Sequence, residues 1–218
     1  MEPPTRAQVA RIFDSIADDF DRTRERPWPE VLEFIDSLLP GGSVLDAGCG
    51  NGRHAALLEE RVHHAVGLDA SRNLLSVARP RVPGATFVQG DLCVLPFRDE
   101  AFTAAIAVAS IHHLASEAER VTAMREIARV LRPGGRAFVT AWALEQPRFG
   151  YLSETPRTLQ GGPGDVWVPW RAGGKEVPRF YHLFADGELR DLVLKAGLRV
   201  ERHFRVRGNY AAVAERHG

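Results

Sequence analysis

The chain has 218 residues, 44% of them hydrophobic and 26% charged, the proportions of a soluble globular protein able to bury a sizeable core in one domain. Its 28 Lys and Arg balance its 28 Asp and Glu, so no global positive field holds nucleic acid, and any RNA contact needs a local patch or a partner. Cys49 and Cys93 form neither a CxxC pair nor a disulfide scaffold, and every apolar run is too short for a signal peptide or membrane helix; a reduced, cytoplasmic setting without membrane is expected.

Apolar residues at Val9, Ile12, Phe13 and Ile16 predict a helix from about Thr5 to Asp19, and Val31, Leu32, Phe34, Ile35 and Leu38 a second from Pro29 to Leu38. Pro40-Gly41-Gly42 stops it, and Ser43 to Asp46 reads as a short buried strand running into a glycine-rich turn and a helix. The alternation continues with strands at 65–69, 86–89, 102–109 and 136–142 and helices at 71–78 and 117–131. Arg132-Pro-Gly-Gly135 reads as a stop and turn before the last of these strands. Strands separated by helices predict an α/β fold, a doubly wound, mostly parallel sheet with helices on both faces. Between Glu145 and Pro178 proline and glycine are dense and no periodicity survives, which reads as a long structured loop near a site. A helix at 186–196 follows, then strands at 198–205 and 210–215 around Gly208-Asn209, a terminal antiparallel hairpin.

The strongest local signal is Asp46-Ala-Gly48-Cys-Gly50-Asn-Gly52. Glycines at alternate positions after a buried strand let the backbone turn sharply and approach a ligand at a helix N-terminus. A dinucleotide fingerprint would demand glycine at position 53, where Arg53 stands, and no Lys-Ser or Lys-Thr pair makes a triphosphate loop. Asp69 ends the second strand, where a carboxylate accepts from both hydroxyls of a ribose, and Asp91 closes the third, next to Leu92. Each Asp alone is an ordinary cap or turn former; three at the ends of three successive strands point to a nucleoside ligand. Ile111-His112-His113-Leu114 follows the fourth strand on the same side. Adjacent histidines diverge and no Cys or acid stands at ligand spacing, so no metal site is expected.

This pattern resembles the class I S-adenosylmethionine-dependent methyltransferases, whose sheet has seven strands. The resemblance implies Asp46, Gly48, Gly50 and Gly52 near the methionine part of the cofactor, Asp69 and Ala70 at the ribose, Asp91 and Leu92 at the adenine, and Ala109 at the end of the fourth strand. Further segments narrow it: Thr23-Arg24, Pro27-Trp28-Pro29, Ile111-His-His113, Trp142-Ala-Leu-Glu-Gln146, Val168-Pro-Trp170 and Arg179-Phe-Tyr-His-Leu183 leading to Gly187-Glu188-Leu189. With these the chain, from roughly Val9 to Val213, is similar to the tRNA wobble-uridine carboxymethyl methyltransferases.

The resemblance implies methyl transfer from S-adenosylmethionine to the carboxylate of 5-carboxymethyluridine in the anticodon loop of tRNA. It also implies one domain over 1–218, helices over the cofactor site at 1–40, a substrate-side loop at 145–180, and a small zinc-binding activator protein as partner. A carboxylate with a pKa of roughly 4 is ionised at neutral pH, so the reaction needs alignment and a cation rather than a base. Arg24 is expected at the cofactor or substrate carboxylate, His113, Tyr181 and His182 as hydrogen-bond donors, and Trp142 and Trp170 as stacking surfaces for the base. Eukaryotic relatives carry a Lys-rich insertion where this chain has the short, nearly neutral Arg171 to Pro178. The remaining basic candidate is the terminal hairpin, where Arg199, His203, Arg205 and Arg207 are expected on one face and Arg202 on the other. Two alternatives stay open: a methyltransferase of a small acid or quinone precursor, and a cofactor-binding partner subunit with no activity of its own.

Overall fold

In the computed structural model residues 2–24, 26–61, 64–146, 164–172 and 175–218 are described. In chain order the elements are α1 (Arg6–Ser15), α2 (Ala17–Thr23), α3 (Pro29–Asp36), β1 (Ser43–Ala47), α4 (Arg53–Glu60), β2 (His64–Asp69), α5 (Arg72–Arg81), β3 (Thr86–Gln89) and β4 (Phe102–Val108). There follow a 3-10 turn (Ile111–His113), α6 (Glu117–Val130), β5 (Leu131–Trp142), β6 (Asp165–Ala172), β7 (Lys175–His182), α7 (Glu188–Lys195), β8 (Leu198–Val206) and β9 (Asn209–Arg216).

The apolar character of β1, β2, β4 and β5 follows from burial on both faces, the condition that helices above and below a parallel sheet impose. Seven strands lie in the order β3-β2-β1-β4-β5-β9-β8, and β9 alone runs against its neighbours. The expected seven-stranded, mostly parallel α/β sheet with a terminal hairpin is what the chain forms. The order turns back between β1 and β4, and that crevice at the strands' carboxyl ends is where such sheets hold ligands. One core cluster joins α6 and α7 to one face; the other joins α3 and α4 to the opposite face.

Four features depart from the sequence reading. The first helix breaks at Ile16, whose N–H bonds the Phe13 carbonyl in a tighter turn, so α1 and α2 are separate. Leu131 already pairs with Phe102, and the following Arg-Pro-Gly-Gly segment bulges out before Arg136 pairs with Ala104. The stretch read as a loop ends in a hairpin of β6 with β7, a separate two-stranded sheet in which Pro169 faces Pro178. Proline removes a ladder donor, which a two-stranded ribbon tolerates because each strand has one free edge. Residues 147–163 of that loop lie outside the described residues. Finally, a bulge between Val200 and Arg202 shifts β8, so Arg199 and Arg202 share a face and His203 and Arg205 take the other. The single-face arrangement of Arg199, His203, Arg205 and Arg207 does not form.

The N-terminal helices cover the crevice through specific bonds. Asp14 accepts from the Ser71 hydroxyl at 2.6 Å and the Asn73 amide at 2.9 Å, at the start of α5. Arg6 bonds Asp91 at 2.6 Å and Glu119 at 2.8 Å. Asn51, in the glycine turn, donates to Asp21 at 2.7 Å and to the Arg24 carbonyl at 3.0 Å, while Arg81 pairs with Asp21 at 2.6 Å. Among the described residues no helix is long and apolar enough to cross a membrane.

The ribbon is fastened to α7 by a buried histidine. His182 on β7 faces Asp165 of β6 at 2.7 Å and Glu188 of α7 at 2.6 Å, one carboxylate at each ring nitrogen. Burial opposes the charged ring, but the two carboxylates outweigh it and raise the pKa above 6.5, while Glu188 is lowered against its own burial by the same contact. A raised histidine stabilises fully below its unfolded value of 6.5 and loses that contribution as pH rises through the folded value; the Glu188 share is present above 4.5 and lost in acid. A His182→Gln variant should therefore show its largest deficit in thermal unfolding temperature near about pH 6, shrinking by about pH 9. A deficit that is constant across that range would show the clasp to be uncharged.

Candidate active site

Each glycine of the turn after β1 has a left-handed backbone, with φ of 83° at Gly48, 55° at Gly50 and 78° at Gly52. A Cβ at Gly48 would stand 2.4 Å from the Ser110 Cβ, so the close approach is required as well as the angle. The Gly48 and Cys49 amides donate to the Leu68 carbonyl at 2.7 and 3.0 Å. The Gly50 amide donates to Asp69 at 2.8 Å and the Ser71 amide to its other oxygen at 2.8 Å. Burial raises the Asp69 pKa, and these amides work against the rise. Each oxygen keeps a second lone pair for a ligand hydroxyl.

Asp46 lies behind this turn rather than on the cavity wall. Among the described residues neither of its oxygens makes a full hydrogen bond, and burial pushes it up to about 7 against the pull of Arg53 and weak support from the Ala55 amide. A buried carboxylate without full partners makes the turn receptive to a cation.

A cavity of about 1210 Å³ runs along the carboxyl ends of the strands beneath α1 and α2. At one end its wall holds Gly48, Gly50, Asp69, Ala70, Leu92 and Ala109, with apolar Leu74. Asp91 is there too, engaged by Arg6 at one oxygen and by the Cys93 amide, at 2.8 Å, at the other. Gly52 is not on the wall; it caps α4. At the other end are Arg24, His113, Trp142 and Tyr181. His182 is a correction: expected in the site, it is absent from the wall because both nitrogens are committed to the Asp165–Glu188 clasp.

The second end is aromatic and cationic. Trp142 and Tyr181 stack at 4.1 Å with planes 7° apart. Trp170 is not on the wall; it lies behind Arg179, whose guanidinium is 4.6 Å from its ring and 5.1 Å from that of Tyr181. Arg24 lies 5.7 Å from both Phe20 and Trp170 and has no acidic partner among the described residues. Arg53, also on the wall, has its pKa lowered to about 10 by burial and by repulsion from Arg24.

Arg179, Arg53 and His112 line the cavity without having been given individual roles from sequence. The signal for Arg179 was the alternation Arg179-Phe-Tyr181, readable once the segment is known to be a strand. The histidines carry opposite tautomers. The Trp142 amide donates to His112 Nδ1 at 3.1 Å, which makes that nitrogen an acceptor. His113 Nδ1 instead faces the Phe180 carbonyl at 3.0 Å, and a carbonyl only accepts, so the proton sits on Nδ1. Burial, with Arg179 adding to it and the Phe180 bond opposing, holds the His113 pKa down to about 3. His113 is therefore neutral, and its Nε2 accepts; the donor role expected for it is reversed.

The model of the Methyltransferase domain family matches residues 45–139. The tRNA (carboxymethyluridine(34)-5-O)-methyltransferase of Schizosaccharomyces pombe is 34% identical over 95% of this chain and 96% of its own length. The tRNA (carboxymethyluridine(34)-5-O)-methyltransferase alkbh8 of Xenopus tropicalis is 32% identical over 97% of this chain, which spans only 41% of that longer protein. Among solved structures, a SAM-dependent methyltransferase from Methanosarcina mazei superimposes with a TM-score of 0.73 at 19% identity, covering 88% of this chain and 99% of its own. A Haloferax volcanii methyltransferase in complex with the Trm112 methyltransferase activator gives 0.75 at 18% identity, over 96% and 98%. The structural likenesses show the fold, and the full-length sequence match shows the family: this chain belongs to the tRNA (carboxymethyluridine(34)-5-O)-methyltransferases.

Proposed function

We propose that this chain transfers the methyl group of S-adenosylmethionine to the carboxylate of 5-carboxymethyluridine at the wobble position of tRNA, forming the methyl ester. The observation that carries the reading is one cavity whose two ends differ: a glycine turn with Asp69 at one, and Arg24, Arg179 and stacked aromatic rings at the other.

The residues present fit the cofactor. Asp69, fixed by two amides, has lone pairs for ribose hydroxyls; Leu92 and Ala109 supply apolar wall for the adenine; Asp46 beneath the turn favours the cationic amino-acid end. When bound, the cofactor supplies an electrophilic methyl group on a sulfonium. A carboxylate is already ionised at neutral pH and needs no proton removed before it is alkylated, so the task of the protein's own residues is alignment. Arg179 and Arg24 hold the carboxylate, and Trp142, backed by the buried Tyr181 ring, gives the base a flat surface.

Phosphate contacts fall to a partner. In the terminal hairpin Arg199 pairs with Glu215, Arg202 with Glu33 and Arg207 with Glu30, and Arg205 bonds the Glu145 carbonyl. Cations already paired add little to RNA affinity. A small zinc-binding activator protein, the partner implied by the family, would supply what these arginines do not.

Incubation with labelled cofactor and bulk tRNA, before and after ribonuclease, should give label that is macromolecular and becomes nuclease-sensitive; label confined to small molecules would sink the tRNA reading. Asp69→Ala should weaken cofactor binding by about 1.5 to 3 kcal/mol, the range for hydrogen bonds to a charged group, with unchanged affinity in calorimetry removing the ribose assignment. Arg179→Met should raise the KM for the carboxylate substrate by about tenfold or more while cofactor affinity holds, and Arg179→Lys should not restore it, because a point charge does not replace a planar fork.

A further inference from the structure

The His113 ring is fixed on its sides. Its Nδ1–H donates to the Phe180 carbonyl at 3.0 Å, and the rings of Phe13, His112 and Tyr181 stand 4.8, 4.5 and 4.5 Å away. With the proton committed to Nδ1, the other nitrogen presents a lone pair. No N–H or O–H of the described residues donates to it, it is not sealed from solvent, and the residue lines the cavity.

A lone pair has the wrong sign for a carboxylate, so His113 does not hold the group that is methylated; it requires a donor. In a 5-substituted uracil the base offers one N–H, at N3, on the same half of the ring as the 5-substituent and separated from it by the C4 carbonyl. Cytosine has a lone pair at N3, which would meet the imidazole lone pair. Trp142, half-buried and stacked on the buried Tyr181 ring that touches His113, is the ring on which a base lies flat with its edge toward the imidazole. Resting on the uridine reading above, we propose that His113 Nε2 accepts the N3–H of the base whose 5-substituent carries the carboxylate, and so distinguishes uridine from cytidine. The depressed basicity of the ring keeps it an acceptor at neutral pH, even with Arg179 nearby.

The test uses the full chain, with activator where activity needs it, and anticodon-loop oligonucleotides carrying 5-carboxymethyluridine, its N3-methyl derivative, its 2′-deoxy derivative or 5-carboxymethylcytidine. The unmodified enzyme should lose about 10- to 100-fold in kcat/KM on the N3-methyl and cytidine probes, the cost of leaving a buried acceptor unpaired. His113→Ala should be slower on the uridine probe yet no longer separate it from the other two. His113→Gln, which offers a carbonyl acceptor, should recover part of the discrimination. Cofactor affinity measured on each variant shows whether the fold is retained. Equal use of the uridine and N3-methyl probes, or discrimination surviving in a folded His113→Ala, overturns the assignment; so does a loss seen with the 2′-deoxy probe alone, which would make a ribose hydroxyl the donor. If no uridine probe is methylated while another acid is, the substrate reading fails and this assignment with it, an outcome distinct from methylation that ignores N3.

Discussion

The turn at the end of β1 is folded back onto the end of β2, and most of the site hangs from that contact. Two consecutive amides share the Leu68 carbonyl, and the Gly50 amide reaches Asp69. The bond that sets the turn thus also sets the carboxylate. Ser110, which leaves no room for a side chain at Gly48, itself donates to the Ala47 carbonyl at 2.9 Å, tying the end of β4 into the same corner. From this turn Asn51 extends the constraint outward: its amide holds Asp21 and the Arg24 carbonyl, so the helical cover and the Arg24 cation are placed by the glycine loop they face. The glycine turn and the Arg24 end of the cavity are therefore coupled through the Asn51 side chain.

Net neutrality conceals an uneven distribution of charge. On the outer hairpin the arginines are spent on Glu30, Glu33 and Glu215. Within the cavity Arg24 lies close enough to Arg53 to lower its pKa, on top of the burial that disfavours the Arg53 charge. Like charges brought together in a half-buried wall oppose folding unless an anion answers them. Asp46 answers part of the charge on Arg53, and the carboxylate of the proposed substrate would answer the rest, making its binding and the relief of that repulsion the same event.

The parallel sheet was legible because burial on both faces writes long apolar strands, and each crevice Asp sits at the end of one. What escaped is local. Pro169 and Pro178 argue against strands residue by residue, yet opposite each other in a two-stranded ribbon they cost no interior ladder bond. A bulge in β8 inverted the faces of every arginine beyond it, since the side-chain period of two makes one inserted residue a complete reversal. His182 belongs to a conspicuous motif, but its neighbours Asp165 and Glu188 come from different elements, and nothing in one dimension announces that both flank it.

The paired histidines make the same point about chemistry. As residue types His112 and His113 are interchangeable, and a sequence offers no reason to give them different hydrogens. The 3-10 turn directs one Nδ1 at the Trp142 amide on β5 and the other at the Phe180 carbonyl on β7. A donor in one case and an acceptor in the other fix opposite tautomers on adjacent positions. The polarity of the site is thus decided by two backbone groups on strands that enter the chain long after the histidines themselves. Only β7, whose strand character the prolines concealed, turns His113 from the donor expected beside a carboxylate into an acceptor.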